Sequence, residues 1–150
     1  QDPSIGLETI DWLRREFGLP VLVKGVLRGD AADECLRAGA AGVIVSNHGG
    51  RQLDRAVPSA HALGDVVDAV AGRAPVYVDG GISCGLDVLT ALALGAHGVL
   101  IGRPVLWALA AGGCQAVAET LSAMTDDLRH AMALTGVAGL DQINRSLLHH

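Results

Sequence analysis

Four short apolar runs recur along the chain, Val21-Leu22-Val23, Val43-Ile44-Val45, Val76-Tyr77-Val78 and Val99-Leu100-Ile101. Each is continuous rather than alternating, the pattern of a strand covered on both faces. Their first residues stand 22, 33 and 23 positions apart, too far for hairpins but suited to a strand, a helix and two loops. The crossovers are therefore predicted to be right-handed and the sheet parallel.

The segments between the runs carry helix punctuation. Asp30 is predicted to cap a helix over residues 31–37 that stops at Gly39, and Pro58 lies near the start of a second helix ending around Gly72. A third is predicted over residues 85–94, stopped by Gly95. After the last run, Pro104 opens a short helix, Gly112-Gly113 interrupts it, and an amphipathic stretch over residues 115–134 ends at Gly136. Ahead of the first run, Leu7, Ile10, Trp12 and Leu13 predict a leading helix closing near Gly18-Leu19-Pro20. In such an alternation a leading helix calls for a strand before it.

An internal echo supports a repeated unit: Ala38-Gly39-Ala40-Ala41-Gly42-Val43-Ile44-Val45 resembles Leu94-Gly95-Ala96-His97-Gly98-Val99-Leu100-Ile101. Barrels of eight strand-helix units average about 250 residues, so four units in this chain predict an α/β fold, half of a TIM (β/α)8 barrel, with C-terminal helices. A flat doubly wound sheet is the alternative, but the Gly-x-Gly-x-x-Gly fingerprint is missing after the first run.

Composition narrows the function classes. Half of the 150 residues are hydrophobic, ample for one domain's core, and no apolar run approaches the ~20 residues that span a bilayer. The formal net charge of −5, with acids and bases interspersed, provides no basic stripe for nucleic acid or anionic lipid. Cys35, Cys84 and Cys114 are odd in number and widely spaced, unlike a metal site or disulfide framework. They read as buried thiols in a reducing cytoplasm. The N-terminal Gln1-Asp2-Pro3-Ser4 has no signal-peptide character and no Met, so the chain is expected to be processed or cut from something longer.

In parallel β/α architectures, chemistry collects where strands end and helices begin, because unpaired backbone N–H groups converge there. All four runs end in polar residues: Lys24-Gly25, then Ser46-Asn47-His48-Gly49-Gly50-Arg51, then Asp79-Gly80-Gly81-Ile82-Ser83, then Gly102-Arg103-Pro104. The other histidines act as a control. His61 and His130 fall on predicted helices, His97 precedes a strand at the opposite rim, and His149 and His150 are tail residues. Only His48 is placed for catalysis. By the same test Asp54, Arg55 and Asp87 read as solvated loop or helix-start charges.

These strand ends, with Ser46-Asn47-His48-Gly49-Gly50-Arg51-Gln52-Leu53-Asp54 and the later Met132-Ala133-Leu134-Thr135-Gly136 stretch, resemble the FMN-dependent α-hydroxy acid dehydrogenase/oxidase family, which includes glycolate and lactate oxidases. The resemblance covers nearly the whole chain and places it in the C-terminal half of the family's barrel. It implies oxidation of a small 2-hydroxy acid to the 2-keto acid, with FMN as cofactor.

Residue by residue, the resemblance makes His48 the general base, since a neutral imidazole accepts a proton at physiological pH. Arg51 is implied to grip the substrate carboxylate through its planar fork. Lys24 and Ser46 are implied to contact the flavin ring system, Lys24 stabilising its reduced form. Asp79 is implied to bind the ribityl hydroxyls, and Gly80, Gly81, Ile82, Ser83, Gly102 and Arg103 to hold the phosphate end. One position departs from the family, which carries Arg where this chain has Ser83; the Ser hydroxyl and Arg103 are expected to compensate in part. The implied partners are the hydroxy acid and either a second copy or the missing half-barrel. Two other readings stay open at this level: a noncatalytic half-barrel assembly module, and another FMN-phosphate-binding barrel, against which the His48-Arg51 spacing argues.

Overall fold

The computed structural model describes residues 5–148; Gln1 to Ser4 and the tail histidines His149 and His150 lie outside them. Four parallel strands stand side by side in chain order: β1 (Leu22–Val26), β2 (Gly42–Val45), β3 (Val76–Asp79) and β4 (Gly98–Leu100). Helices α2 (Gly29–Arg37), α3 (Ser59–Val70) and α4 (Gly85–Ala93) make the crossovers, α1 (Glu8–Phe17) leads, and α5 (Arg103–Leu134) follows. Two 3-10 turns, Leu140–Gln142 and Arg145–Leu147, end the described chain. This is the expected fold class of four parallel β/α units with C-terminal helical structure.

Strand register divides the side chains between two faces. Val23, Val43 and Val76 form one lateral row, and Val45, Val78 and Val99 another. Both belong to a core shared with Ala32 and Cys35 of α2 and with Ala62, Leu63, Val66 and Val70 of α3. The intervening row, Lys24, Ile44, Tyr77 and Gly98, has the opposite side-chain direction, since alternate residues of a strand face opposite ways. No helix covers that second face among the described residues, and Leu22 and Leu100 on the two edge strands are 45% and 37% exposed. A smaller core of Leu89, Ala93, Ala131, Val137 and Ile143 fastens α5 and the final turns to α4.

Several sequence expectations are corrected in detail. β1 continues through Lys24 and Gly25 to Val26, because the register shift between Lys24 and Val26 absorbs an extra residue at Gly25, whose φ of +104° suits only glycine. Asp30 is not the cap of α2. Arg28 occupies that extended position, while the Asp30 carboxylate, in the first turn, accepts the Ala31 N–H at 2.8 Å and pairs with the Arg28 guanidinium. The break anticipated at Gly112-Gly113 lies within α5, where Gly113 turns to φ +66° and ψ −155°. Of the three cysteines only Cys35 is buried, and burial pushes its thiol pKa up. Cys84 is half-buried at the start of α4 and Cys114 is exposed beside the α5 break, both at helix irregularities that a hydrophobicity pattern does not resolve.

Candidate active site

The residues after β2 fold onto their own side chains. Asn47 donates its N–H to the buried Ser59 hydroxyl at 3.2 Å, and its side-chain oxygen accepts the Gly49 N–H at 3.0 Å. Gly50 N–H closes the turn onto the Asn47 carbonyl at 3.0 Å. Three successive left-handed residues, His48 (φ +55°), Gly49 and Gly50, coil the chain here; histidine is one of the few non-glycine types enriched in that region. The His48 N–H donates to the Ser46 hydroxyl at 3.0 Å.

Lys24 ties three strand ends together. Its ammonium donates to Ser46 Oγ at 2.9 Å and reaches Asp79 Oδ2 at 2.7 Å. β1 and β3 are both neighbours of β2 rather than of each other, so their axes stand roughly 10 Å apart at ordinary strand spacing. The long lysine stem bridges that distance over the end of β2. The His48 imidazole packs on the other side against Gly25, where an added Cβ would come within 2.7 Å of Cε1. Bare backbone at Gly25 therefore makes room for the ring.

Lys24, His48, Arg51, Gln52 and Asp79 line one cavity of about 530 Å³. It brings together two cations, an imidazole, an amide and a carboxylate. Arg51 is exposed and forms no ion pair among the described residues, so its guanidinium fork is available to an anionic ligand. Asp79 is the converse case: Oδ2 is held by Lys24, whereas Oδ1 is buried with no hydrogen-bond partner. Such an acceptor costs folding free energy until a donor meets it.

The remaining predicted residues occupy the adjoining strand ends, outside the lining of that cavity. Gly80 (φ +92°) and Gly81 (φ +84°) follow Asp79, and no atom lies within 4 Å of a Cβ placed on Gly81. Ile82 is half-buried and Ser83 exposed. Ser83 does not offer its hydroxyl outward: Asp87 Oδ2 accepts both its hydroxyl and its N–H at 2.8 Å, and the Cys84 N–H at 3.1 Å. Burial alone would raise the Asp87 pKa, but these bonds outweigh it and hold the carboxyl below the ordinary carboxylate range. Asp127 of α5 takes the next donor, Gly85 N–H, at 2.6 Å, where a Cβ on Gly85 would stand 2.0 Å from the Leu128 nitrogen. In this structure both donors of Ser83 are thus engaged by Asp87. Gly102 and Arg103 are exposed at the start of α5.

The sequence profile of the FMN-dependent dehydrogenase family matches residues 1–150. The chain belongs to that family. Among the relatives of this chain are an L-lactate oxidase from Nostoc, 48% identical over 99% of the chain and 40% of the relative, and 2-hydroxyacid oxidase 1 from Homo sapiens, 46% identical over 98% and 40%. A crystal structure of mandelate oxidase with benzoylformic acid superposes with a TM-score of 0.90 at 48% identity, covering 94% of this chain and 42% of that one. The chain thus spans about two fifths of the curated relatives it matches.

The family cofactor can be tested against the residues present. An unpartnered buried acceptor at Asp79 fits a polyhydroxyl chain, and the bare left-handed backbone of Gly80 and Gly81 fits close approach of an anion. Both fit FMN. Of the residues singled out from sequence, Lys24, His48, Arg51 and Asp79 converge on the cavity, and Ser46, fully buried, lies beneath it. Gln52 was missed as a lining residue although it adjoins Arg51; Ser59, which holds the turn, and Asp127, which anchors α4, carry no sequence signal of their own.

Proposed function

We propose that this chain provides the catalytic face of an FMN-dependent oxidase or dehydrogenase converting a small 2-hydroxy acid to the 2-keto acid. The observation that carries the proposal is the convergence of His48 and Arg51 on one cavity with Lys24 and Asp79. FMN, when bound, supplies the two-electron acceptor for oxidation of the hydroxyl-bearing carbon. Arg51 binds the carboxylate of the hydroxy acid and fixes its orientation, and His48 takes up the proton released as the C–O bond gains double-bond character. Lys24 holds positive charge at the cavity wall. Asp79 accepts from the cofactor's ribityl hydroxyls, and Gly80, Gly81, Gly102 and Arg103 receive its phosphate, with Ile82 and Ser83 beside them.

The relatives named as lactate, 2-hydroxyacid and mandelate oxidases support this substrate class. The uncovered sheet face and the exposed edge residues Leu22 and Leu100 support association with a second copy or with further β/α units that close the barrel. Among the described residues no helix is long and apolar enough to cross a membrane, and the free state of Cys35, Cys84 and Cys114 supports operation in a reducing compartment such as the cytoplasm.

The test is His48→Asn in the complete, assembled protein, with FMN binding followed by fluorescence quenching and 2-keto acid formation by chromatography after incubation with lactate, glycolate or mandelate. Retained FMN with turnover reduced on the order of 10²-fold is expected. Loss of FMN in proportion to turnover would make His48 structural and overturn the proposal.

A further inference from the structure

Ser59 opens α3 and, with Ser46, is one of two polar residues buried among the described ones, at 3% exposure. It is not among the residues that line the cavity. Its hydroxyl oxygen accepts the Asn47 N–H at 3.2 Å. From another side the backbone of Gly80 passes so close that an added Cβ would stand 3.2 Å from the same oxygen and 3.7 Å from Asn47 Oδ1. One hydroxyl therefore sits where the end of β2, the start of α3 and the end of β3 meet.

The other polar groups of Asn47 are engaged by partners that move with it. Its carbonyl and its side-chain oxygen accept the Gly50 and Gly49 N–H groups at 3.0 Å, and both glycines lie inside the turn. Its side-chain nitrogen donates at 3.5 Å to the carbonyl of Val57, on the exposed loop that returns from the turn. Ser59 differs from these, because α3 is fixed to the core through Ala62, Leu63, Val66 and Val70, none more than 3% exposed. The bond from Asn47 thus refers the left-handed turn to a rigid helix, a second anchor beside the strand-end bond of the His48 N–H. Alanine in place of Ser59 would leave a part-buried N–H without its acceptor, whereas threonine would keep the hydroxyl.

We infer that Ser59 is a positioning residue: its buried hydroxyl fixes Asn47 to α3 and so holds the turn that carries His48 and Arg51 in place beside the Gly80 backbone. The consequence for turnover rests on the proposed roles of His48 and Arg51, whereas the hold on the turn does not.

The experiment uses Ser59→Ala and Ser59→Thr in the complete protein, with two readouts. Hydrogen exchange by NMR at the Asn47 amide reads the turn in the absence of any substrate. Loss of one hydrogen bond in Ser59→Ala corresponds to roughly tenfold faster exchange, with the Val66 and Val70 amides of α3 unchanged. Steady-state kinetics reads the consequence: a turn that carries both His48 and Arg51 should, once loosened, lower kcat and raise KM for the hydroxy acid together, with kcat/KM falling on the order of tenfold. A merely structural loss would shrink the folded fraction, which lowers kcat and leaves KM alone. Ser59→Thr should lie close to the parent in both readouts. Asn47 exchange at the parent rate in Ser59→Ala, or a fall in kcat with KM unchanged, would overturn the inference. A parent protein that binds FMN but never oxidises hydroxy acids would sink the functional reading alone, and the exchange measurement would still decide the role of Ser59.

Discussion

Gly25→Ala isolates the placement of the His48 ring from its chemistry. The substitution adds one methyl group at a residue whose φ is +104°, outside the region that L residues tolerate, at a cost of order 1–3 kcal/mol in stability. The new Cβ would also stand 2.7 Å from His48 Cε1, against an optimal carbon separation of about 3.5–4.0 Å, so the ring has to retreat by about 1 Å. A misplacement of that size costs on the order of 10²-fold in rate. Gly18→Ala is the matched control. Gly18 ends α1 at φ +62° with nothing within 4 Å of an added Cβ, so it carries backbone strain and no contact with the site. Rapid-mixing measurement of cofactor reduction by substrate, with thermal unfolding of each variant, separates the two effects. Destabilisation in both variants with slowed reduction in Gly25→Ala alone is expected. Equal reduction rates in the two would refute the claim that bare backbone at Gly25 positions the imidazole.

Three further outcomes follow from other contacts. Arg51→Lys retains charge but loses the planar fork, so KM for the hydroxy acid should rise on the order of tenfold; unchanged steady-state kinetics would remove Arg51 from substrate binding. Asp87→Ala removes the carboxylate that caps α4 and should cost about 1 kcal/mol at neutral pH. Because the folded Asp87 pKa lies below its unfolded value, that contribution is present above the unfolded pKa of about 4 and lost as pH falls through the folded value; denaturant titrations of parent and variant should therefore converge in acid, and a constant gap would refute it. Finally, the 150-residue chain expressed alone should self-associate through its open edges at β1 and β4, giving a dimer or larger species in sedimentation velocity; a monomer with both edge strands protected from exchange would contradict it.

The sequence exposed those features that depend on periodicity and on neighbours along the chain. Continuous valine-rich runs located all four strands, and Gly39, Gly95 and Gly136 marked helix ends correctly, because strand burial and helix termination leave local signatures. The polar strand ends were legible for the same reason, since topology alone aims them at one rim. What escaped depends on contacts between distant segments. The commitment of Ser83 to Asp87, the reach of Asp127 to Gly85 over 42 positions, and the burial of Ser46 under Lys24 and His48 are each fixed by how the elements pack. Cys84 and Cys114 were misread because apolar neighbours in sequence do not guarantee apolar neighbours in space.

The left-handed backbone at His48 has a consequence for heredity as well as for kinetics. At φ +55°, position 48 filters amino acids twice, once for what the side chain does and once for whether the chain can turn there. Asparagine, aspartate and glycine pass the second filter readily, whereas valine, isoleucine and threonine pay for their branched Cβ in backbone strain. Drift away from histidine at this position would therefore be channelled toward Asn, Asp or Gly. A descendant that kept this fold while losing the histidine should carry one of those three at the turn, a trace of the lost side chain preserved by conformation.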